Sequence, residues 1–158
     1  MPDAQRPNTS HIEGYRLEDI KVGMSAAFAK TITEADVLLF AGVSGDTNSI
    51  HVNEEFARRT RFGRRIAHGM LSASLISTAL GSKLPGPGAI YQSQTLKFVA
   101  PVYMGDTVEA RVTVAEINRE KRRIVMRTEC WVGDKQVVVG EALIWVPPPE
   151  EEARLRSS

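Results

Sequence analysis

The chain has 158 residues, 42% hydrophobic and 25% charged, with a formal net charge of +1. That length suits one domain, burying roughly two thirds of the surface its unfolded chain would expose. The near-neutral balance excludes a global electrostatic pull towards nucleic acid or an anionic membrane surface. The single cysteine, Cys130, excludes an intrachain disulfide and a cysteine-based zinc cluster, and its neighbours Thr128, Trp131 and Val132 mark it as a core residue.

Residues 1–14 are polar, with proline, asparagine and serine, and read as a disordered lead-in to a domain over 15–147. The lead-in lacks the apolar core of a secretory signal and the chain has no membrane-spanning run, so a cytoplasmic location is expected. His11 lies there and is assigned no role. Ser25 to Ile32 predicts a first strand. Thr33 and Asp36 have the spacing of a capping box, which opens a helix through Leu38, Leu39, Phe40 and Val43.

That helix runs into Ser44-Gly-Asp-Thr-Asn-Ser-Ile-His51, a loop rich in turn formers. Asp46 and His51 are the best acid/base pair in the sequence. Five positions apart, they fit neither one helical turn nor one strand face, so an irregular loop is needed to bring them together. The residues alone leave two readings: an acid/base pair, or a capping aspartate beside a surface histidine.

Glu54 to Thr60 forms a short helix ended by Arg61-Phe62-Gly63. From His68 to Gly81 no charged residue occurs, and Met70, Leu71, Leu75, Ile76, Ala79 and Leu80 cover nearly the whole helix circumference. Such a helix is expected to be buried, and it is too short to cross a bilayer.

After the Pro85-Gly-Pro-Gly88 turn come four strand-like runs, at about 89–99, 107–116, 123–132 and 136–146. The second alternates, with Val108, Ala110, Val112 and Val114 on one face. The last two meet across Gly133-Asp134-Lys135, a hairpin signal. Trp131, Val137, Leu143 and Trp145 are expected to point outward, more apolar than a solvated face, which predicts a homodimer. Pro147-Pro-Pro149 stops the last strand, and 148–158 is a charged tail. There are no internal repeats and no glycine-rich phosphate loop. The order predicts an α+β fold, one antiparallel sheet wrapped around a long central helix.

Ser44-Gly-Asp46-Thr-Asn48-Ser-Ile-His51, Phe62-Gly63 and Ile66-Ala-His-Gly-Met-Leu71 together closely resemble the MaoC-like R-specific enoyl-CoA hydratases, from about Tyr15 to Val146. The resemblance implies a hot-dog fold. It also implies hydration of trans-2-enoyl-CoA to (R)-3-hydroxyacyl-CoA, with the reverse dehydration. It places the catalytic aspartate and histidine on Asp46 and His51, a carbonyl-binding backbone amide on Gly69, and a serine near the dyad on Ser77. Asn48, Ile66 and His68 are expected at the substrate. Two departures occur outside the catalytic positions: Ser49 replaces a common proline, and Asn53 stands where an aspartate often follows the histidine.

The chemistry agrees. A base must activate water, an acid must protonate C2, and a donor must stabilise the enolate-like oxygen. A histidine and an aspartate suit proton transfer, and the Gly69 N–H at a helix start suits the donor. The reaction needs no metal or redox cofactor. His68 competes for the catalytic role, although a structural histidine before the helix is the preferred reading, and Ser77 can equally bond its own helix.

Arg58, Arg59, Arg61, Arg64 and Arg65 form the one dense basic cluster. It reads either as solvated surface or as a seat for coenzyme A phosphates or an acyl-carrier protein, with Arg58 and Arg59 as candidate contacts. Alternatives for the whole chain are a 3-hydroxyacyl-[acyl-carrier-protein] dehydratase and a thioesterase or acyl-CoA-binding protein of the same fold.

Overall fold

The computed structural model describes residues 14–151. All of the expected lead-in but Gly14, together with His11 and the tail from residue 152, lies outside them. The elements are β1 (Ser25–Thr31), α1 (Glu34–Ser44), α2 (Ser49–Val52), α3 (Glu54–Arg58), α4 (Gly69–Ser82), β2 (Ile90–Phe98), β3 (Thr107–Asn118), β4 (Arg123–Val132) and β5 (Lys135–Trp145).

Five antiparallel strands form one sheet in the order β1-β3-β4-β5-β2. Period-2 alternation creates its inner face: Val108, Ala110, Val112 and Val114 of β3 and Ile124, Met126, Thr128 and Cys130 of β4 are all buried. Against that face lies α4, burying Leu75, Ile76, Ala79 and Leu80. A single sheet curled about one long helix is the hot-dog arrangement expected from the sequence.

The Thr33–Asp36 capping box forms as predicted. Thr33 Oγ1 accepts from the Asp36 N–H at 3.2 Å, and Asp36 Oδ2 accepts from the Thr33 N–H at 2.9 Å. Lys30, at 2.8 Å from Asp36 Oδ2, holds that carboxyl below its usual range, helped by the Thr33 backbone bond. At the other end α1 stops at Gly45, whose φ of 78° reverses the chain into the Asp46 loop.

Two expectations need correction. In the single chain α4 is not covered all round: Met70, Ser74, Ser77 and Gly81 form an exposed stripe, because the sheet wraps the opposite side. Val137 is 1% exposed and belongs to the core. The register shift at Cys130/Trp131 turns both Val137 and Val138 inward. Trp131, Leu143 and Trp145 do lie on the outer face, half-buried. The most exposed large apolar side chains sit elsewhere: Val22 before β1, Leu38, Leu39 and Val43 on α1, Met70 on α4, and Ile90 and Phe98 on edge strand β2.

Candidate active site

Three short segments meet over the N-terminus of α4. The first is the 45–48 loop after α1. Ser44 Oγ accepts from the Asp46 N–H, and Asp46 Oδ1 accepts from the Asn48 N–H at 3.2 Å, so an Asx turn fixes the aspartate. The second is α2, a single turn capped by Asn48 Oδ1, which accepts from the Ile50 N–H at 3.1 Å. His51 rides on this turn rather than on irregular loop, so the loop that brings the pair together ends at residue 48. The third is 66–69, held by the Ala67 N–H bond to the Val102 carbonyl and the Ile66 bond to the Ile50 carbonyl.

His51 is 8% exposed, and its Nδ1 lies 2.7 Å from the Ile66 carbonyl. A carbonyl can only accept, so Nδ1 carries the proton and Nε2 of the neutral ring presents a lone pair. Burial lowers the His51 pKa, aided by His68 and opposed by the Ile66 bond and Asp46. The ring is therefore neutral at physiological pH, as a general base must be. His68, 1% exposed, places Nε2 2.9 Å from the Asp46 carbonyl and stacks on His51 at 3.9 Å between ring centroids.

The ligand-type atoms of Asp46, His51 and His68 all lie within 4.8 Å of one another. The spacing alone would suit a metal. The two imidazole planes are 30° apart, and a carboxylate beside two imidazoles is equally a set of proton-transfer groups.

These groups open on a cavity of about 380 Å³, a size typical of small-molecule sites. Its walls are largely apolar, from Ile66, Ala67, Met70, Phe98, Val99, Ala100, Pro101, Val102 and Val138. Gly69 begins α4 at the same cavity, and a Cβ there would lie 2.7 Å from the Phe98 ring. Only glycine gives that close approach to the first free N–H of the helix.

Of the residues expected from sequence, Asp46, His51, Ile66, His68 and Gly69 line this cavity. Asn48 is the α2 cap and is not on the wall. Ser77 lies eight residues along α4 from Gly69, about 12 Å at the helical rise. It opens on a separate small cavity with Tyr91 and Ile144, so within one chain it does not join the dyad.

The arginines divide by role. Arg58 pairs with Glu54 on the exposed side of α3, and Arg59 Nε bonds the Glu55 carbonyl; neither reaches the cavity. Arg65 joins α1 to α3 through Glu34 at 2.6 Å and Glu54 at 3.3 Å, and Arg64 stacks on Tyr103. Arg61 lines the cavity, lying over the Phe62 ring. Sequence reasoning named Arg61 within the cluster but singled out Arg58 and Arg59 as the candidate contacts. It missed Phe98 and Ser72, although Ser72 follows His68 by four positions and so shares its helix face.

A sheet-wrapped helix whose N-terminus faces an Asp–His pair in a largely apolar cavity is an arrangement suited to acid/base chemistry. The chain belongs to the MaoC-like family, matching the MaoC like domain over residues 19–135. It is 59% identical over 130 residues to an (R)-specific enoyl-CoA hydratase of Rhodospirillum rubrum, covering 82% of this chain and 90% of that one. It is 54% identical over 134 residues to a 3-hydroxybutyryl-CoA dehydratase of Methylorubrum extorquens, covering 85% of each. Among solved structures it resembles an unliganded R-hydratase from Pseudomonas aeruginosa, with a TM-score of 0.80 and 44% identity, covering 85% of this chain and 86% of that chain.

Proposed function

We propose that this chain is an R-specific enoyl-CoA hydratase, a hydro-lyase that adds water across trans-2-enoyl-CoA to give (R)-3-hydroxyacyl-CoA and runs the reverse dehydration. Asp46 and His51 are its acid/base dyad. Water held between them loses a proton to one member, its hydroxyl adds to C3, and C2 takes a proton from the dyad. The Gly69 N–H, with the positive end of α4 behind it, stabilises the thioester oxygen as it gains enolate character. The apolar walls receive the acyl chain, and Arg61 is placed to meet the coenzyme A end.

The observation carrying this reading is the convergence of Asp46, His51 and the α4 N-terminus on one apolar cavity. The test is loss of the enoyl-thioester absorbance band with crotonyl-CoA. Asp46→Asn and His51→Gln should each fold yet lose about 10²-fold or more of the rate, and together lose little more than either alone. Near-parental activity in either single variant would remove that residue from the dyad. Thiol release without loss of the band would mark a thioesterase, and faster turnover of an acyl-carrier-protein thioester would mark the carrier-protein dehydratase.

A homodimer is part of this reading. Edge strand β2 leaves one row of backbone groups unpaired within the chain, and Ile90, Tyr91, Phe98 and Val99 are exposed along and just beyond it. With the bare α4 stripe, that is more apolar surface than a monomer comfortably exposes. Light scattering at micromolar concentration should give twice the chain mass.

A further inference from the structure

We propose that His68 is the positioning residue of the active site, holding Asp46, His51 and the Gly69 amide in one rigid frame; this rests on the dyad reading above. Three separate observations support it. His68 Nε2–H donates to the Asp46 backbone carbonyl at 2.9 Å across 22 positions of sequence, tying the aspartate loop to the start of α4. Its ring is the platform for His51, with centroids 3.9 Å apart, and is backed on α1 by Phe40 at 4.9 Å. It is also the residue before Gly69 and the N-cap of α4, although its side chain makes no cap bond. One side chain thus connects the acid, the base and the oxyanion donor, by a hydrogen bond, a stack and a peptide bond.

The bonding also fixes the tautomer of its neutral ring. The Asp46 carbonyl is an acceptor, so the neutral ring of His68 carries its proton on Nε2. Its Nδ1 is buried and bonds no protein group, and one turn on, the buried Ser72 hydroxyl is unpartnered as well. The groups facing His68 are the Asp46 carboxylate, His51 and Ser72, with Phe40 apolar behind it.

The experiment compares His68→Gln with His68→Leu. Glutamine can present an amide N–H near the position of Nε2, whereas leucine fills the volume and removes the donor. H68L should lose about 10²-fold in kcat, the cost typical of an ångström-scale misplacement, with KM nearly unchanged. H68Q should recover a clear part of that loss. In the Asp46→Asn background, H68L should cost little more, because its effect runs through the dyad.

Parental kcat in H68L, equal losses in H68L and H68Q, or full additivity with D46N would each overturn the proposal. If neither variant folds, 15N NMR of the histidine rings in the intact enzyme decides it. The His68 ring should show the Nε2–H tautomer bonded to the Asp46 carbonyl, and the Nδ1–H tautomer would refute it. The dyad reading fails separately, on D46N or H51Q retaining activity while His68 is intact.

Discussion

Gly69→Ala tests the oxyanion role proposed for the Gly69 N–H separately from the rest of the site. A methyl at Gly69 would lie 2.7 Å from Cδ1 and Cε1 of Phe98 and 3.2 Å from Cγ. Ordinary carbon contacts are about 3.5–4.0 Å, so the ring must withdraw by roughly 1 Å. It has room, because Phe98 is 50% exposed at the cavity rim. Even if the ring swung fully into water it would forfeit about 100 Å² of buried apolar surface, on the order of 2.5 kcal/mol. For a domain of this size that lowers Tm by at most about 10 °C, so the variant should fold.

Its rate should fall much further. The added methyl stands where the thioester oxygen must approach the Gly69 N–H, and losing one such donor typically costs about 10²–10³-fold in kcat. The assay is crotonyl-CoA hydration with thermal melts on the same samples, including the double variant Gly69→Ala/Phe98→Ala, which clears the clash. The double variant should relieve the clash and stay folded without regaining rate. A folded G69A enzyme with the parental kcat would refute the oxyanion role. Rate recovered in the double variant would show that the displaced phenyl ring was the obstacle.

Because burial holds the His51 pKa below its ordinary value, the acid limb of kcat/KM should lie below about 6.5; a limb at higher pH would contradict a buried, neutral base. The same depression bears on stability. The unfolded chain takes up the His51 proton at higher pH than the folded one, so this contribution is complete above the unfolded pKa and is lost as pH falls, and chemical denaturation of His51→Gln should show a shallower loss below pH 6.5. Arg61→Gln should raise KM for crotonyl-CoA several-fold, with kcat and KM for crotonyl-pantetheine unchanged, whereas Arg58→Ala with Arg59→Ala should do less; equal KM effects on both thioesters would deny Arg61 a phosphate contact. Gly140→Ala places a Cβ 1.8 Å from the Thr95 carbonyl oxygen, where β2 meets β5. Overpacking backbone against backbone should cost about 3 kcal/mol or more and lower Tm by about 6–12 °C; an unchanged melt would mean that the strand pair can slide.

The parts of the fold legible in the sequence are those governed by neighbours along the chain. The capping box at Thr33, the alternation of β3 and the turn after Val132 depend on a few adjacent residues, and all three form. Val137 misled because a bulge shifts strand phase, and the bulge arises between β4 and β5 rather than within either. The α4 stripe misled because apolar content reveals that a helix needs cover, not which side its own sheet covers. The Asp46–His51 motif gave the pair that meets at the cavity. The His68 tether to Asp46, and Arg61 as the cluster member on the cavity, exist only once distant segments are folded together. Ser77 does not reach the pair within one chain for a plain geometric reason: two turns of helix carry it away from Gly69.

Cys130 gives the molecule its own reporter of breathing. Its thiol is fully buried, donates to the Ser72 carbonyl of α4 at 3.5 Å, and is raised by burial to about 12. A thiol reacts as its thiolate, so a disulfide reagent at neutral pH meets no nucleophile while the sheet stays closed. It is also the sole cysteine in the sequence. In native buffer, labelling can therefore proceed only through openings that part β4 from α4, and its rate against reagent concentration measures how often they occur. The same silence keeps the background clean when liberated coenzyme A is titrated in the presence of folded enzyme.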